Sequence, residues 1–232
     1  MPSEFATQFV RARRPEHKQQ RREAILEAAR DLALQRGVRA ITLGDLADAV
    51  GLAKSNVVRY FGTREEIFVE LCSEEGFRLR DTLQPRLTEV TEETLPQVLA
   101  STLVEHELFC ELLSQLTTHL EHNVSYPAAE RLKVTSTFIV DELARAVAGR
   151  PVGLDVDQAT LLLTATSLIG AGLWSASRPS DVVLQVYAAH PEIVPTGSVH
   201  ATLERLVAAL AEGLRAEPPV REGDGVRHTV KT

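Results

Sequence analysis

With 232 residues, 44% of them apolar and 25% charged, the chain is long enough for one large domain or two small ones around a substantial core. Aromatic residues make up only 5%, and the glycines and prolines are scattered, which favours neither a β-sandwich nor a disordered chain. The net charge of −7 hides a division: through Arg64 there are 12 Lys/Arg against 7 Asp/Glu, and beyond it 13 against 25. A basic head on an acidic body suits a protein that presents one end to phosphate.

In chain order, Met1–Arg14 reads as a short arm carrying Arg11, Arg13 and Arg14, either tracking a groove or simply solvated. From Glu16 to Arg36 the apolar residues Ile25, Ala28, Ala29 and Leu32 recur at helical spacing, and Gly37 ends the run. Thr42 with Asp45 has the spacing of a capping box for the next helix. Leu43–Phe61 (LGDLADAVGLAKSNVVRYF) then reads as a helix, a glycine turn and a second helix. Leu46, Ala47 and Val50 line the first, Gly51 opens the turn, Leu52 fills it, and Val57 and Phe61 anchor the second. That register fits a helix-turn-helix whose second helix enters a DNA groove.

Thr63 with Glu66 repeats the capping pattern for a fourth helix carrying Ile67, Phe68, Leu71, Cys72 and Leu79, expected to end before Pro85. Val98 through Leu120 marks one or two more helices, and Leu132 through Val147 another, closed by Gly149–Pro151. The β-branched stretch Val134–Val140 sits among helical neighbours without hairpin turns, so it is assigned to that helix. Asp155–Trp174 is the most apolar helix, kept flat by Ala165, Gly170, Ala171 and Gly172. The uncharged run Gln158–Ser177 raises the question of a membrane span, but its three Thr, three Ser and two Gly favour a buried helix. Asp181–Ala189 reads as a short helix or ordered loop, Val199–Leu214 as a last amphipathic helix, and 217–232 as a flexible tail.

Cys72 and Cys110 lie in helical patterns without metal-type spacing and are expected as buried thiols in a reducing cytoplasm. No apolar signal segment opens the chain, which agrees with a cytoplasmic location. His119 and His122 flank Glu121 without an identifiable third ligand, so no metal site is assigned. No motif of hydrolytic, nucleotide-binding or zinc-peptidase chemistry occurs, so neither catalysis nor a cofactor has positive support.

Taken together, RREAILEAARDLALQRGVRAITLGDLADAVGLAKSNVVRYFGTREEIFVEL (Arg21–Leu71) resembles the tetracycline-repressor family of bacterial regulators. The resemblance is specific there and only architectural beyond about Glu75. It implies an all-α protein: a three-helix DNA-binding head over residues 16–64, and a helical ligand-binding and dimerisation domain over 65–216, with 1–15 as the opening tail. Lys54, Ser55, Asn56 and Arg59 fall on the exposed side of the reading helix, where Arg59 or Asn56 could read guanine or adenine edges. Thr42 could offer its hydroxyl to a phosphate, and Tyr60 and Arg64 match family positions that commonly hold phosphate. Two positions depart from the family's habit. Val58 stands where a tyrosine is common, trading a phosphate hydroxyl for a possible thymine-methyl contact, and Ala53 stands where a serine cap is common.

A single helix-turn-helix reads too few base pairs, so the expected form is a homodimer on a palindromic operator, paired through Asp155–Trp174 and Val199–Leu214. His106, Phe109, Cys110, Leu113, Tyr126, Phe138 and Trp174 mix the apolar and hydrogen-bonding groups that a site for an unknown small-molecule effector needs. The leading reading is therefore a ligand-released repressor. A DNA-binding regulator without an effector, constitutive or activating, is the second, and a helical ligand carrier or enzyme the third.

Overall fold

In a computed structural model, residues 4–116, 118–148, 151–193 and 197–216 are described, with the backbone alone for 4–16. All regular elements among these residues are helical. The first helix, α1, is Glu4–Arg36, so helical backbone already runs through the stretch expected as an arm. The side chains of Arg11, Arg13 and Arg14, and the whole of 217–232, lie outside the described residues.

After Gly37 and a 3-10 turn at Val38–Ala40 come α2 (Leu43–Ala49), α3 (Lys54–Phe61) and α4 (Arg64–Arg86). Gly51 holds φ +63 between α2 and α3, a conformation L side chains rarely adopt, although a Cβ there would meet nothing within 4 Å. The turn needs glycine for its backbone, not for its space. Contrary to the sequence expectation, α4 runs through Pro85. The missing N–H falls in the last turn, where it costs one terminal hydrogen bond, and the helix tightens into a 3-10 turn at Leu87–Glu89.

The remaining helices are α5 (Leu95–Glu105), α6 (Glu107–Leu116), α7 (Tyr126–Ala148), α8 (Val156–Ala176), α9 (Asp181–Ala189) and α10 (Val199–Ala216). The apolar run around Leu103–Leu116 is thus two helices, broken at His106, whose φ −93, ψ 64 leaves the helical region. The β-branched stretch of α7 is helical, as its context requires. Asp155 and Gln158 form a reciprocal capping box that starts α8.

Burial divides the apolar residues into two clusters. Ile25, Ala29, Leu46, Val57, Phe61 and Phe68 build the head core, and Leu108, Leu112 and Leu116 of α6 enter the same cluster. Leu95, Leu99, Leu143, Leu162, Leu203 and Val207 represent the body core, where α5 packs on α10 and α7 on α8. Along α4 the changeover falls between Cys72 and Leu79, later than the division at 64/65. Each fully buried large side chain contributes about 1.5–3 kcal/mol of transfer free energy, so α4 and α6 bind the head firmly to the body.

Candidate nucleic-acid interface and associated cavity

The head is held by local hydrogen bonding that the spacing anticipated. Thr42 Oγ1 accepts from the Asp45 amide at 3.2 Å, while the Asp45 carboxylate accepts from the Thr42 amide at 2.7 Å and its hydroxyl at 2.6 Å. The Thr42 hydroxyl, with its amide and nearby Arg36, holds the Asp45 carboxyl down to about 2. The Thr42 proton is therefore engaged within the cap, which weighs against the phosphate contact expected of that hydroxyl. Ala53 starts α3 without a side-chain cap.

On α3, Val57 is 0% and Phe61 3% exposed, while Lys54, Ser55, Val58 and Arg59 face outward and Asn56 is half-buried. A Cβ added to Gly44 would lie 2.9 Å from Lys54 Cε, so the end of the lysine side chain lies against the start of α2. Tyr60 is half-buried against the head core, and its carbonyl accepts from Arg22. Arg22 also pairs with Glu70 and lies 4.2 Å from the Phe61 ring centroid.

Arg64 is placed differently from the expectation. Its guanidinium donates to the carbonyls of Val38 and Ile41, pairs with Glu65 at 3.1 Å and lies over the Phe68 ring. It knits the turn before α2 to the start of α4, so the structure gives it an internal role instead of a free cation for phosphate. Thr63 caps α4 by accepting from the Glu66 amide at 3.1 Å, but Glu66 does not complete a box: its carboxylate accepts from the Ser125 amide at 2.9 Å. Thr63 itself donates to the Asn123 carbonyl at 2.9 Å.

Further contacts couple head to body. Buried Arg30 reaches Glu27, Glu74 at 2.8 Å and Glu75 at 3.0 Å, satisfying its charge out of water. Glu111 on α6 accepts from the Val38 amide at 3.2 Å with one oxygen and from Trp174 Nε1 of α8 at 3.2 Å with the other. Sequence reasoning missed both joints, because their partners are far apart along the chain.

A cavity of about 530 Å³ lies among α4, α5, α6, α7 and α8. Of the residues nominated from sequence, it collects Phe109 and Leu113. His106 is half-buried outside the lining, its Nε2 3.1 Å from Thr82 Oγ1, and burial pushes its pKa down. Cys110 is buried beside the lining with its thiol donating to the Leu103 carbonyl, Tyr126 is 76% and Phe138 48% exposed, and Trp174 is engaged by Glu111. The lining contains Cys72, Gly76 and a set of hydroxyls on α7 and α8 that were not nominated. Their signal was a serine or threonine interrupting an apolar face, as at Thr166 and Ser167. Burial raises the Cys72 and Cys110 thiols to about 12, so both remain protonated and inert.

Among the described residues no group of three His, Cys, Asp or Glu could hold a metal ion; His119 contacts Arg39 and Thr118 instead. Val156–Ala176 is long and apolar enough to cross a membrane by length and composition, but its buried face, including Leu162 and Trp174, packs against α5, α6, α7 and α10.

A short helix anchored by two buried residues, turned outward at the end of a three-helix head, defines a DNA-binding transcriptional regulator of the helix-turn-helix class. The pattern of bacterial regulatory proteins of the tetR family matches residues 25–71, and that of the tetracyclin repressor-like C-terminal domain matches 76–218. The chain belongs to the tetracycline-repressor family, whose members are transcription regulators and not enzymes. No curated protein matches its sequence. The fold is similar to a putative TetR-family regulator from Rhodococcus sp. (14% identity, TM-score 0.55, covering 85% of this chain and 100% of that one). It is similar also to Thermus thermophilus FadR, a repressor solved with lauroyl-CoA (18%, 0.54, 86% and 98%), and to RolR solved with resorcinol (17%, 0.51, 88% and 97%).

Proposed function

We propose that the protein is a homodimeric repressor that occupies a palindromic operator and leaves it when a small molecule enters the cavity among α4–α8. The observation that carries this reading is the path of α4. Its cap at Thr63 lies in the head behind the reading helix, while its middle, from Cys72 to Leu83, forms a wall of the cavity. A ligand pressing on that wall tilts a helix rigidly tied to α3, and its leverage equals the difference in its affinities for the two states. Similar folds hold lauroyl-CoA in FadR and resorcinol in RolR.

Pairing is supported by exposed apolar side chains on the two helices named from sequence: Leu161 and Leu168 on α8, and Leu206 and Leu210 on α10. Gly172 and Gly213 add stretches where a Cβ would meet nothing within 4 Å, leaving room for a close twofold approach. Lys54, Ser55, Asn56, Val58, Arg59 and Tyr60 of each copy then form the reading surface, in a protein working in the cytoplasm on the nucleoid.

Selection of bound duplexes from a random pool tests the proposal. The expected product is an inverted repeat bound more tightly than about 1 µM, with affinity falling steeply as salt rises. A pool that yields no preferred sequence rejects sequence-specific binding. A sequence preference without twofold symmetry rejects the palindromic dimer, and a cavity that takes up no ligand moves the reading to a regulator without an effector.

A further inference from the structure

The lining of the cavity is chemically one-sided. Most of its wall is hydrocarbon, supplied by Leu79, Leu83, Leu99, Leu103, Ile139 and Leu163, with Phe109 as its aromatic side. The charged side chains at its edge are already neutralised: Lys133 pairs with Glu121 at 2.6 Å, and Asp141 with Arg145 at 2.6 Å. Cys72 stays a protonated thiol. A carboxylate or ammonium entering this space would lose its water and meet only counter-charges that are already paired, which burial penalises heavily.

Apart from these charged groups and Cys72, the polar part of the lining consists of hydroxyls, and most have committed their protons. Ser73 donates to the Val69 carbonyl, Ser136 to Lys133, Thr160 to Val156 at 2.8 Å, Thr166 to Leu162 at 2.7 Å and Ser167 to Leu163 at 3.0 Å. Each oxygen keeps a lone pair but has no proton to offer. Thr166, only 4% exposed, places such an acceptor deep in the cavity wall. Thr135, Thr137 and Thr164 also line the cavity, at half-buried or exposed positions; at buried Thr166 and half-buried Ser73 and Ser167, a group that donates a hydrogen bond is complementary, whereas a group that can only accept is not.

We infer that the effector is an uncharged, mostly hydrocarbon molecule whose polar end is a hydrogen-bond donor, as in a long-chain or terpenoid alcohol. The inference rests on the proposed reading of the cavity as the effector site. In that complex the chain lies along the leucine-lined wall, its hydroxyl donates to the threonine and serine oxygens of α8, and the Lys133–Glu121 pair stays closed at the edge.

A matched set of probes tests it on the full chain: 1-decanol, decanoate and decylamine, each titrated calorimetrically and scored for release of the selected operator. The alcohol is expected to bind at least about tenfold more tightly than either ion, the minimum cost of stranding a charge there. Gly76→Leu, whose Cβ would already lie 3.2 Å from Ile139 Cδ1, and Thr137→Trp at an exposed lining position are both expected to abolish that binding. The second variant keeps the test valid if the first fails to fold. Decanoate or decylamine matching the alcohol overturns the inference while leaving the cavity as the effector site. No binding by any probe, or binding unchanged in the filled variants, removes both.

Discussion

Arg59 and Arg64 are near neighbours in the chain but sit in different surroundings. Arg59 is exposed on α3, so Arg59→Ala is expected to cost about 1–3 kcal/mol of operator binding, relax base preference and leave the melting temperature unchanged; a gel shift paired with calorimetry reads both. Arg64 donates to two head carbonyls, so Arg64→Ala is expected to strand buried acceptors and lower stability by about 1–3 kcal/mol, read by denaturant unfolding. Asp45 supplies a pH signature. Its carboxyl is held to about 2, so the cap it forms is fully present above the ordinary carboxylate range and is lost as pH falls through about 2. An NMR titration of its carboxyl carbon should give that midpoint, and Thr42→Ala should return it toward the ordinary value. The cap was legible in the sequence because its partners are three residues apart, whereas the acceptors of Arg64 lie 23 and 26 residues away. Local spacing announces a cap; nothing in it announces a clamp between distant segments.

Among the helices, α8 has two faces in different surroundings. Leu162 and Trp174 face the body, while Leu161 and Leu168 face outward beside Gly172. Leu161→Arg on α8 or Leu206→Glu on α10 should therefore yield a folded monomer by light scattering, with operator affinity falling by orders of magnitude as one half-site is lost. Helical periodicity identified nearly all of these elements, because a period near 3.6 marks which face leaves water. It does not say what that face meets. Phe109 and Leu113 reached the cavity, while Tyr126 and Phe138, equally suggestive on paper, lie on the outside of α7. The C-terminal limit of α4 and the break at His106 were invisible for a related reason. Tolerance of Pro85 depends on how many turns remain, and a helix break without glycine or proline has no compositional mark.

Head and body share α4 and α6, and the charge division of the sequence matches the boundary between their cores only loosely. The head core continues past the basic segment into α6, so an acidic-body helix holds up the basic head. Glu111→Gln keeps one acceptor oxygen and replaces the other with a donor, leaving either the Val38 amide or the Trp174 indole without its partner. The expected outcome is intact operator binding with a smaller effector response, measured as the ratio of operator affinities with and without ligand. A single carboxylate thus bridges the turn that precedes α2 and the indole of α8. In the proposed dimer α8 carries the pairing face, so the same carboxylate would give a strain at that face a path to the turn ahead of α2 that bypasses the cavity, whose lining does not include Glu111.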